Sequence, residues 1–389
     1  MIVRRIKDKA TYLLEKYPVL TITGPRQSGK TTLSKTLLPD HPYINLEEPD
    51  IRSIAQNDPR GFITQFEKGA VLDEIQRVPE LFSYIQSIVD ENPQSKFILS
   101  GSQNFLLMES ITQSLAGRTA ILKLLPLSMT ELKAENKINE DLWTNIHNGF
   151  YPRMYDKNIA AQDFFPYYIQ TYVERDVRLI VNLGDINGFI GFVKLCAGRI
   201  GQLINYASLA NDAGVSPNTA KNWVSVLEAS YIIYRIQPFH KNYNKRITKQ
   251  NKLYFYDTGL ACSLLNIQSS EQLKGHYLKG GLFENFVITE IIKSYFNNGK
   301  EHDLYFWRDN KGKEIDCIID TPTQAIPVEI KSGETMNASY FDNIQYWNKL
   351  SENTTENSFA LYAGNRTMNL SFGKLLSWQD MDQLYYVED

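Results

Sequence analysis

Five short apolar runs occur in the first 150 residues, with helical segments such as LFSYIQSIVDE between them. Strands that alternate with helices are typical of a mostly parallel sheet that is covered on both faces. The pattern therefore predicts an α/β fold for residues 1–150, with strands at 19–23, 43–47, 69–74, 96–102 and 118–127.

The hydrophobic pattern changes after residue 150. Residues 151–200 are helical and aromatic and contain no evident strand, which predicts a helical lid or linker. Within residues 201–270, a helix, a turn at Gly214 and a second helix capped by Ser216 and begun by Pro217 have helix-turn-helix spacing. The runs YIIYRIQPF and KLYFYD follow as two strands joined by a basic loop, so this segment is predicted to be a winged helix.

Residues 271–389 form the last predicted domain. It begins with the helical segment GGLFENFVITEIIKSYF, and it continues with the strands DLYFWRD, KEIDCIID and AIPVEIKS. A further helix is predicted near residues 338–350. The order of these elements predicts a second α/β domain.

Composition argues against a membrane-spanning, secreted or disulfide-rich protein. The chain has 389 residues, of which 43% are hydrophobic, and no apolar run approaches the ~20 residues of a membrane-spanning helix. The first residues lack the features of a secretory signal, so we expect a cytoplasmic protein without a membrane partner. Three widely spaced cysteines argue against a disulfide framework and a cysteine-built zinc site. The net charge of −3 gives no overall basic excess, so local charge must indicate any nucleic-acid partner.

The most specific motif follows the first apolar run. The segment GPRQSGKT fits G-x-x-x-x-G-K-[ST] between a predicted strand and a predicted helix, the context of a phosphate-binding loop. In such a loop, backbone N–H groups and the helix N-terminus bind phosphates, Lys30 reaches the β- and γ-phosphates, and Thr31 places its hydroxyl on Mg²⁺. A glycine turn that carries a lysine by chance is the alternative. The motif predicts an ATP and Mg²⁺ site with nucleotide contacts from Gly24, Pro25, Arg26, Gln27, Ser28, Gly29, Lys30, Thr31 and Thr32.

Polar residues follow the next buried strands. In P-loop enzymes, a carboxylate at the position of Asp73 holds Mg²⁺, and a neighbouring acid such as Glu74 orients and polarises the attacking water. Ser102 or Ser100 is placed to contact the γ-phosphate or that water, unless KFILSGSQ ends in a simple turn. Arg118 is either an arginine finger for a neighbouring subunit or a structural arginine. The predicted catalytic residues of this domain are Lys30, Glu74, Ser102 and Arg118.

With these motifs, the chain resembles a widespread bacterial and archaeal family of AAA-type ATPases whose C-terminal domain of unknown function has a restriction-endonuclease-like fold. The resemblance implies a five-stranded P-loop core, a helical lid and a winged helix. It also implies a homo-oligomer, such as a hexameric ring, because AAA-type proteins often work as rings. The matching segments span nearly the whole chain in order: GPRQSGKTTL, LDEIQ, LSGSQ, SLAGR with LLPLS, YVERDV, GLFENFV, EIDCIID and VEIKSG.

Charged residues recur in the last domain with a nuclease-like spacing. Asp316 lies thirteen residues before Glu329, and alternation places Glu329 and Lys331 on the same face of a strand. Two carboxylates can hold Mg²⁺ or Mn²⁺, and a lysine can help to generate hydroxide. The spacing resembles the PD-(D/E)XK signature, although Ile315 stands where that name has proline. The resemblance implies that Glu284 completes the metal site, with Gln345 as a weaker candidate.

This C-terminal group leaves two interpretations open. The predicted metal ligands are Glu284, Asp316 and Glu329, and the predicted catalytic residues are Asp316, Glu329 and Lys331. However, Glu-x-Lys on a strand is frequent, and a nuclease-like fold can persist as a DNA-binding or structural module. A catalytically silent domain is therefore the alternative to a metal-dependent nuclease.

The loop between the two strands of the predicted winged helix is basic. Its sequence HKNYNKRITKQNK contains no acid, and such a stretch can lie along phosphates. Winged helices also serve as protein-contact modules, and Trp223 on the second helix is expected in the core rather than on a base. The predicted DNA-binding residues are Lys221, Lys241, Lys245, Arg246 and Lys249.

The motifs together predict an ATP-hydrolysing, AAA-type protein that binds and remodels or processes DNA. The main alternative is a nucleotide-controlled switch or scaffold that binds protein partners. Predicted domain bounds are 1–150 for the ATPase core, 151–200 for the lid or linker, 201–270 for the winged helix and 271–389 for the nuclease-like domain.

Overall fold

A parallel sheet occupies the first 123 residues. The structure, a computed structural model, describes residues 2–101, 111, 113–173, 186–239 and 250–385. The strands of this sheet are β1 (Val19–Thr23), β2 (Tyr43–Asn45), β3 (Gly69–Asp73), β4 (Lys96–Gly101) and β5 (Thr119–Lys123). Their order is β2-β3-β4-β1-β5, and all neighbouring pairs are parallel. The predicted α/β core is confirmed, with strands slightly shorter than the apolar runs.

Helices cover both faces of the sheet. They are α1 (Ile6–Lys16), α2 (Lys30–Leu37), α3 (Pro49–Asn57), α4 (Pro59–Thr64) and α5 (Leu81–Glu91). Leu20 and Ile22 pack on the face covered by α1 and α2, whereas Val19 packs with residues of α3, α4 and α5. Because successive side chains of a strand point to opposite faces, a strand covered on both sides must be apolar throughout. This explains the run VLTIT.

A helical region follows the sheet. Within its described residues, the helices are α6 (Met129–Ala134), α7 (Leu142–Asn148), α8 (Pro152–Lys157), α9 (Ala161–Tyr168), α10 (Ile186–Ala197), α11 (Tyr206–Ala213) and α12 (Pro217–Ala229). A π-helical turn, Ile169–Val173, continues α9. The described part of residues 151–200 is therefore helical, as its aromatic pattern predicts.

Helices α11 and α12 form the predicted helix-turn-helix. Gly214 adopts φ 67° and ends α11, a conformation that favours glycine. The Ser216 hydroxyl accepts a hydrogen bond from the Thr219 N–H and caps α12. Trp223 is buried, with its ring 5.3 Å from that of Phe189 and 5.1 Å from that of Phe192. The indole is thus a core residue, as expected.

Two antiparallel strands follow the helix pair: β6 (Ile233–Pro238) and β7 (Lys252–Phe255). On its other side, β7 makes an antiparallel bridge to Leu203, in the short segment before α11. Three helices with such a three-stranded arrangement are compatible with a winged helix, which stays a prediction. The hairpin does not stand apart from the C-terminal strands, because Gln237 and Pro238 of β6 pair in parallel with Tyr305 and Phe306.

The second sheet contains eight strands and includes this hairpin. Its further strands are β8 (Leu304–Arg308), β9 (Glu314–Asp320), β10 (Ala325–Lys331), β11 (Phe359–Tyr362), β12 (Met368–Leu370) and β13 (Gly373–Ser377). The order is β12-β13-β11-β10-β9-β8-β6-β7. The accompanying helices are α13 (Thr258–Leu264), α14 (Ser270–Gly275), α15 (Lys279–Asn297) and α16 (Asp342–Ser351). None of the helices in the described ranges is both long and apolar enough to cross a membrane.

Helix α15 joins the two sheets through a buried ion pair. The Lys293 ammonium lies 2.7 Å from the Glu290 carboxylate and donates to the Leu127 carbonyl at 2.8 Å. Glu290 also accepts a 2.7 Å hydrogen bond from the Met129 N–H at the start of α6. Because both charges are paired and hydrogen-bonded, their attraction offsets the desolvation penalty of burying them. The segment after β5 is thereby fixed to α15.

Candidate functional sites

The glycine loop lies between β1 and α2, where the sequence predicts a phosphate site. Gly24 has φ 143°, and a Cβ built there would lie 2.1 Å from the Leu124 carbonyl oxygen. Gly29 has φ 97° and immediately precedes α2. Side chains are therefore excluded at both positions, at Gly24 by a backbone neighbour and at Gly29 by backbone conformation. The two glycines allow the loop to turn tightly at the carboxyl end of β1.

Lys30 begins α2 and folds back over the loop. Its buried ammonium donates 2.9 Å hydrogen bonds to the carbonyl oxygens of Gly24 and Pro25. Burial lowers the pKa of Lys30 to about 8, although the nearby carboxylates of Glu74 and Asp73 act in the opposite direction. A triphosphate placed beside it would favour the ammonium form.

Asp73 is the centre of a hydrogen-bonded group at the carboxyl edge of the sheet. Its Oδ2 accepts from the Thr31 hydroxyl at 2.7 Å and from the Tyr43 hydroxyl at 2.8 Å. Its Oδ1 accepts from the Ser100 hydroxyl at 2.6 Å. The structure thus brings together the two predicted Mg²⁺ ligands, Asp73 and Thr31, and these hard oxygen donors fit that ion.

Two members of this group differ from the sequence prediction. Tyr43 was not expected, because it begins a strand instead of ending one; burial and Asp73 raise the pKa of its phenol, which keeps it a neutral donor. Of the two alternative serines, Ser100 makes the contact with Asp73, whereas Ser102 lies outside the described residues.

Glu74 follows Asp73 in a left-handed conformation with φ 55°. Its Oε2 accepts a 2.5 Å hydrogen bond from the Gln76 amide. Gln76 in turn lies so close to Gly101 that a Cβ there would be 2.3 Å from the amide oxygen. Sequence reasoning missed Gln76, although it belongs to the quoted segment LDEIQ. This amide fixes the carboxylate that is predicted to orient water.

Of these groups, Lys30, Thr31, Tyr43, Asp73 and Glu74 line a cleft of about 760 Å³. Six of the predicted nucleotide contacts lie on it, whereas Gly24 and Pro25 contribute carbonyls to Lys30 and Ser28 is buried behind the loop. The opposite wall comes from α8 and the π-helical turn, which the sequence did not predict as part of a site. The described residues of that wall are Pro152, Arg153, Asp156, Lys157, Thr171 and Tyr172.

An apolar hollow of about 100 Å³ adjoins the cleft. The two share Gly29, Thr32, Pro152 and Asp156. Ile2, Val3, Leu33 and Leu127 complete the apolar lining, and Arg4, Lys7 and Thr36 add polar atoms. A flat, largely apolar group attached to a phosphate chain can therefore occupy the hollow while the phosphates lie in the cleft.

Arg118 lies at the opposite edge of the same sheet. It precedes β5, and its carbonyl accepts from the Val19 N–H at the start of β1. Its guanidinium makes two hydrogen bonds to Asp90, at 2.6 and 2.7 Å. Arg118 is thus remote from the cleft of its own chain. A role as an arginine finger requires a neighbouring copy and stays a prediction.

In the C-terminal sheet, Asp316 of β9 and Glu329 and Lys331 of β10 come together as predicted. The Lys331 ammonium lies 3.1 Å from Asp316 Oδ2 and 3.3 Å from Glu329 Oε2. Asp316 also accepts a 2.8 Å hydrogen bond from the Ile330 N–H. From α16, Asn343 donates to Glu329 Oε1 at 2.9 Å. The weaker candidate Gln345 is exposed, so that helix contributes Asn343 instead.

The two carboxyls have opposite electrostatic environments. Burial raises the pKa of Asp316, but the Lys331 ammonium and hydrogen bonds outweigh it and bring the value to about 2. Burial and the Asp316 charge raise the pKa of Glu329 to about 9. Glu329 Oε2 is buried without a hydrogen-bond partner, although Lys331 lies nearby. With this pKa of about 9, Glu329 carries a proton at neutral pH, and a divalent ion such as Mg²⁺ or Mn²⁺ could bind the two carboxyls only in place of that proton.

Glu284 lies in a neighbouring ionic group. Its Oε1 is 2.8 Å from the buried Lys252 ammonium and accepts a 2.5 Å hydrogen bond from Tyr254. Lys252 also contacts Glu314 at 2.5 Å. In the described residues, no three His, Cys, Asp or Glu side chains form a metal-holding group. The role of Glu284 as a third metal ligand stays a prediction, since its contacts are with Lys252 and Tyr254.

The predicted DNA-binding residues fall in two places. Lys221 is exposed on α12. Lys241, Lys245, Arg246 and Lys249 lie outside the described residues. Lys252, which the sequence places at the end of the basic loop, is instead buried on β7 in the ion pairs with Glu284 and Glu314.

Three family models match successive parts of the chain. Residues 16–133 match an AAA domain. Residues 139–271 and 279–381 match two domains of unknown function, DUF8612 and DUF4143. The first match and the phosphate-site geometry support an AAA-type P-loop ATPase, and with it ATP binding and hydrolysis.

Two curated relatives are similar over most of the chain. These are the uncharacterized proteins Rv2008c of Mycobacterium tuberculosis and Mb2031c of Mycobacterium bovis, each 28% identical over 345 residues, or 87% of this chain and 76% of the relative. Among solved structures, the Walker-type ATPase PABY2304 of Pyrococcus abyssi is 14% identical with a TM-score of 0.43, and covers 67% of this chain and 94% of its own. A STAND protein with a tetratricopeptide repeat sensor, PH0952 from Pyrococcus horikoshii, is 14% identical with a TM-score of 0.26. The match covers 76% of this chain and 47% of the PH0952 chain.

Arg153, on the cleft wall opposite the glycine loop, is predicted to contribute to ATP turnover. This residue of α8 lines the cleft, which places its guanidinium on the side from which it can reach phosphates bound by the glycine loop. Arg153→Ala should lower ATP turnover at saturating ATP by about tenfold or more, because a cation beside the transferred phosphoryl group is lost. Steady-state phosphate release measures this effect. Arg60→Ala, an exposed arginine on α4, is the control, and equal rates for both variants would contradict the role of Arg153.

Proposed function

We propose that the N-terminal domain hydrolyses ATP at the cleft between the glycine loop and α8. The observation that carries this proposal is the group around Asp73, in which the Thr31 and Ser100 hydroxyls bind one carboxylate beside the Lys30 ammonium. Mg²⁺, when bound, would neutralise phosphate charge next to Asp73 and Thr31. Lys30 would leave the carbonyls of Gly24 and Pro25 to bind the β- and γ-phosphates.

The reaction needs an oriented water molecule. Glu74, held by Gln76, accepts a hydrogen bond from this water and directs its oxygen toward the γ-phosphorus. A bond forms between the water oxygen and the γ-phosphorus as the bond from the γ-phosphorus to the β–γ bridging oxygen breaks. The proton of the water passes to the Glu74 carboxylate, and ADP and inorganic phosphate are released. The adenine base occupies the apolar hollow, where Ile2, Leu33 and Pro152 can cover its flat faces.

We further propose that ATP turnover serves work on DNA in the cytoplasm. Support comes from the helix-turn-helix with its following hairpin, from the basic sequence between β6 and β7, and from the cluster of Asp316, Glu329 and Lys331. In this proposal the predicted winged helix binds the phosphate backbone, and the C-terminal cluster is a metal-dependent nuclease site. A homo-oligomeric ring would bring Arg118 of one copy to the cleft of the next.

The second candidate is a nucleotide-controlled scaffold for protein partners. It is favoured by the ion pairs that Glu284 and Asp316 already make with Lys252 and Lys331, since such contacts also stabilise a silent domain. The two candidates differ in whether DNA is bound and in whether DNA is cleaved.

The ATPase proposal predicts different defects for two residues. Lys30→Ala should abolish ATP hydrolysis and weaken binding, because the ammonium contacts the phosphates directly. Glu74→Gln should retain ATP binding and slow hydrolysis by a factor on the order of 10² or more, since an amide cannot take up the proton of the water. Phosphate release and binding of a fluorescent ATP analogue measure the two steps. Glu80→Gln, an exposed acid nearby, is the control. Hydrolysis at the wild-type rate in both variants would refute this site.

The nuclease proposal is tested at Asp316. Asp316→Asn should remove any Mg²⁺- or Mn²⁺-dependent cleavage of linear, branched or single-stranded DNA and leave ATP turnover unchanged, because the two sites lie on different sheets. Gel assays of cleavage and phosphate release give the two readouts. Asp303→Asn changes an exposed aspartate of the same domain and should keep both activities. Absence of cleavage by the wild-type protein with either metal would favour the scaffold.

DNA binding is tested through its salt dependence. Replacing Lys245 and Arg246 with alanine should reduce the slope of log affinity against log salt concentration by about one to two, because each phosphate contact releases counterions. Fluorescence anisotropy over a salt series measures the slope. A control with Lys68 and Lys349 replaced removes the same charge at exposed positions of other domains. If the slope is unchanged by the first pair, the basic loop does not contact DNA.

A further inference from the structure

Arg4, in the segment before α1, uses its guanidinium to hold the back of the glycine loop. Its Nη1 donates to the Ser28 carbonyl at 2.6 Å, and its Nη2 donates to the Leu125 carbonyl at 2.7 Å. Its Nε donates to the Glu131 carboxylate at 3.0 Å. The Arg4 side chain is only 9% exposed, so these bonds form in a largely water-excluded position.

The contact with Ser28 determines where the next amide points. The peptide bond between Ser28 and Gly29 is trans and planar, so its C=O and N–H groups point in opposite directions. Since the Ser28 carbonyl is directed at Arg4, the Gly29 N–H is directed away from Arg4. Gly29 lines the nucleotide cleft. An arginine behind the loop therefore aims a backbone donor toward the position of the phosphates.

The second contact fixes the loop to the strand next to it. Leu125 follows β5, and the adjacent Leu124 carbonyl is the group on which Gly24 rests. Leu124 itself pairs with β1 through a 2.8 Å hydrogen bond from its N–H to the Thr23 carbonyl. Arg4 thus ties the end of the loop to the same segment that supports its beginning, which restricts both ends.

Glu131 explains why Arg4 acts by orientation and not as a phosphate ligand. Its buried carboxylate neutralises the guanidinium and also accepts a 2.8 Å hydrogen bond from the Arg5 N–H. Glu131 is itself fixed in the capping box of α6 with Ser128. The planar fork of arginine spans the Ser28 and Leu125 carbonyls at once, which one lysine ammonium does less well.

We infer that Arg4 is a positioning residue for the triphosphate, which it serves by directing the Gly29 N–H into the cleft. The inference rests on the proposed ATP binding. Because the loop amides bind the phosphates before and during the reaction, loss of Arg4 should raise the KM for ATP more than it lowers kcat.

The test compares Arg4→Ala, Arg4→Lys and Arg5→Ala in the full-length protein. Arg4→Ala should weaken binding of a fluorescent ATP analogue and raise the KM by about tenfold, the effect of losing charge-assisted hydrogen bonds. Arg4→Lys should recover part of this loss. Arg5→Ala removes a neighbouring exposed arginine side chain but keeps the backbone N–H bond to Glu131, and it should bind ATP as the wild type does. Thermal melting without nucleotide identifies the folded fraction of each variant.

Distinct results would overturn the inference and the proposed function. If the wild-type protein binds no ATP analogue, the ATPase proposal fails. If the wild type binds the analogue and folded Arg4→Ala has an unchanged KM, the positioning role fails. It also fails if the higher KM of Arg4→Ala is accompanied by a lower melting temperature and Arg4→Lys restores neither. Should Arg4→Ala not fold, the KM of Arg4→Lys decides, because a value equal to that of the wild type contradicts the inference.

Discussion

The carboxyl edge of the five-stranded sheet brings the ATPase residues together. Parallel strands all end at that edge, so Asp73 of β3 and Ser100 of β4 meet there beside Thr31, in the helix after β1. Hydroxyl donors from three different elements, Thr31, Tyr43 and Ser100, bind one carboxylate, which fixes it without neutralising its charge. An anionic group in this position can bind a metal only if the sheet and the glycine loop keep their relative placement.

The sequence predicted the parts of this site that depend on local order. The glycine loop and the pair Asp73–Glu74 were predicted because each follows an apolar run that ends in polar residues. In the structure both lie at the carboxyl edge of the sheet, after β1 and β3. Tyr43, Gln76 and Arg153 were missed because their positions depend on contacts between elements distant in the chain. Arg4 shows the same limit, since it reaches Ser28 and Leu125 from a segment before the first strand.

The C-terminal cluster was predicted in part for a similar reason. Alternation along β10 places Glu329 and Lys331 on one face, and pairing with β9 adds Asp316. Which residue a helix contributes depends on its rotation about its axis, so Asn343 rather than Gln345 contacts Glu329. Lys252 also differs from its sequence prediction. It belongs to a basic stretch that is predicted to be an exposed loop, but in the structure it is buried and paired with Glu284 and Glu314.

The continuous pairing of β6 with β8 has a consequence for dissecting the chain. A fragment that ended near residue 270 would retain the hairpin but lose the strand against which Gln237 and Pro238 pair. It would also lose Glu284 and Glu314, the two counter-ions of the Lys252 ammonium. Exposed strand edges promote association between chains, and the fragment loses the ion pairs that join β7 to the rest of the domain. A truncation at the domain boundary predicted from the motifs, near residue 270, would therefore cut through one continuous sheet.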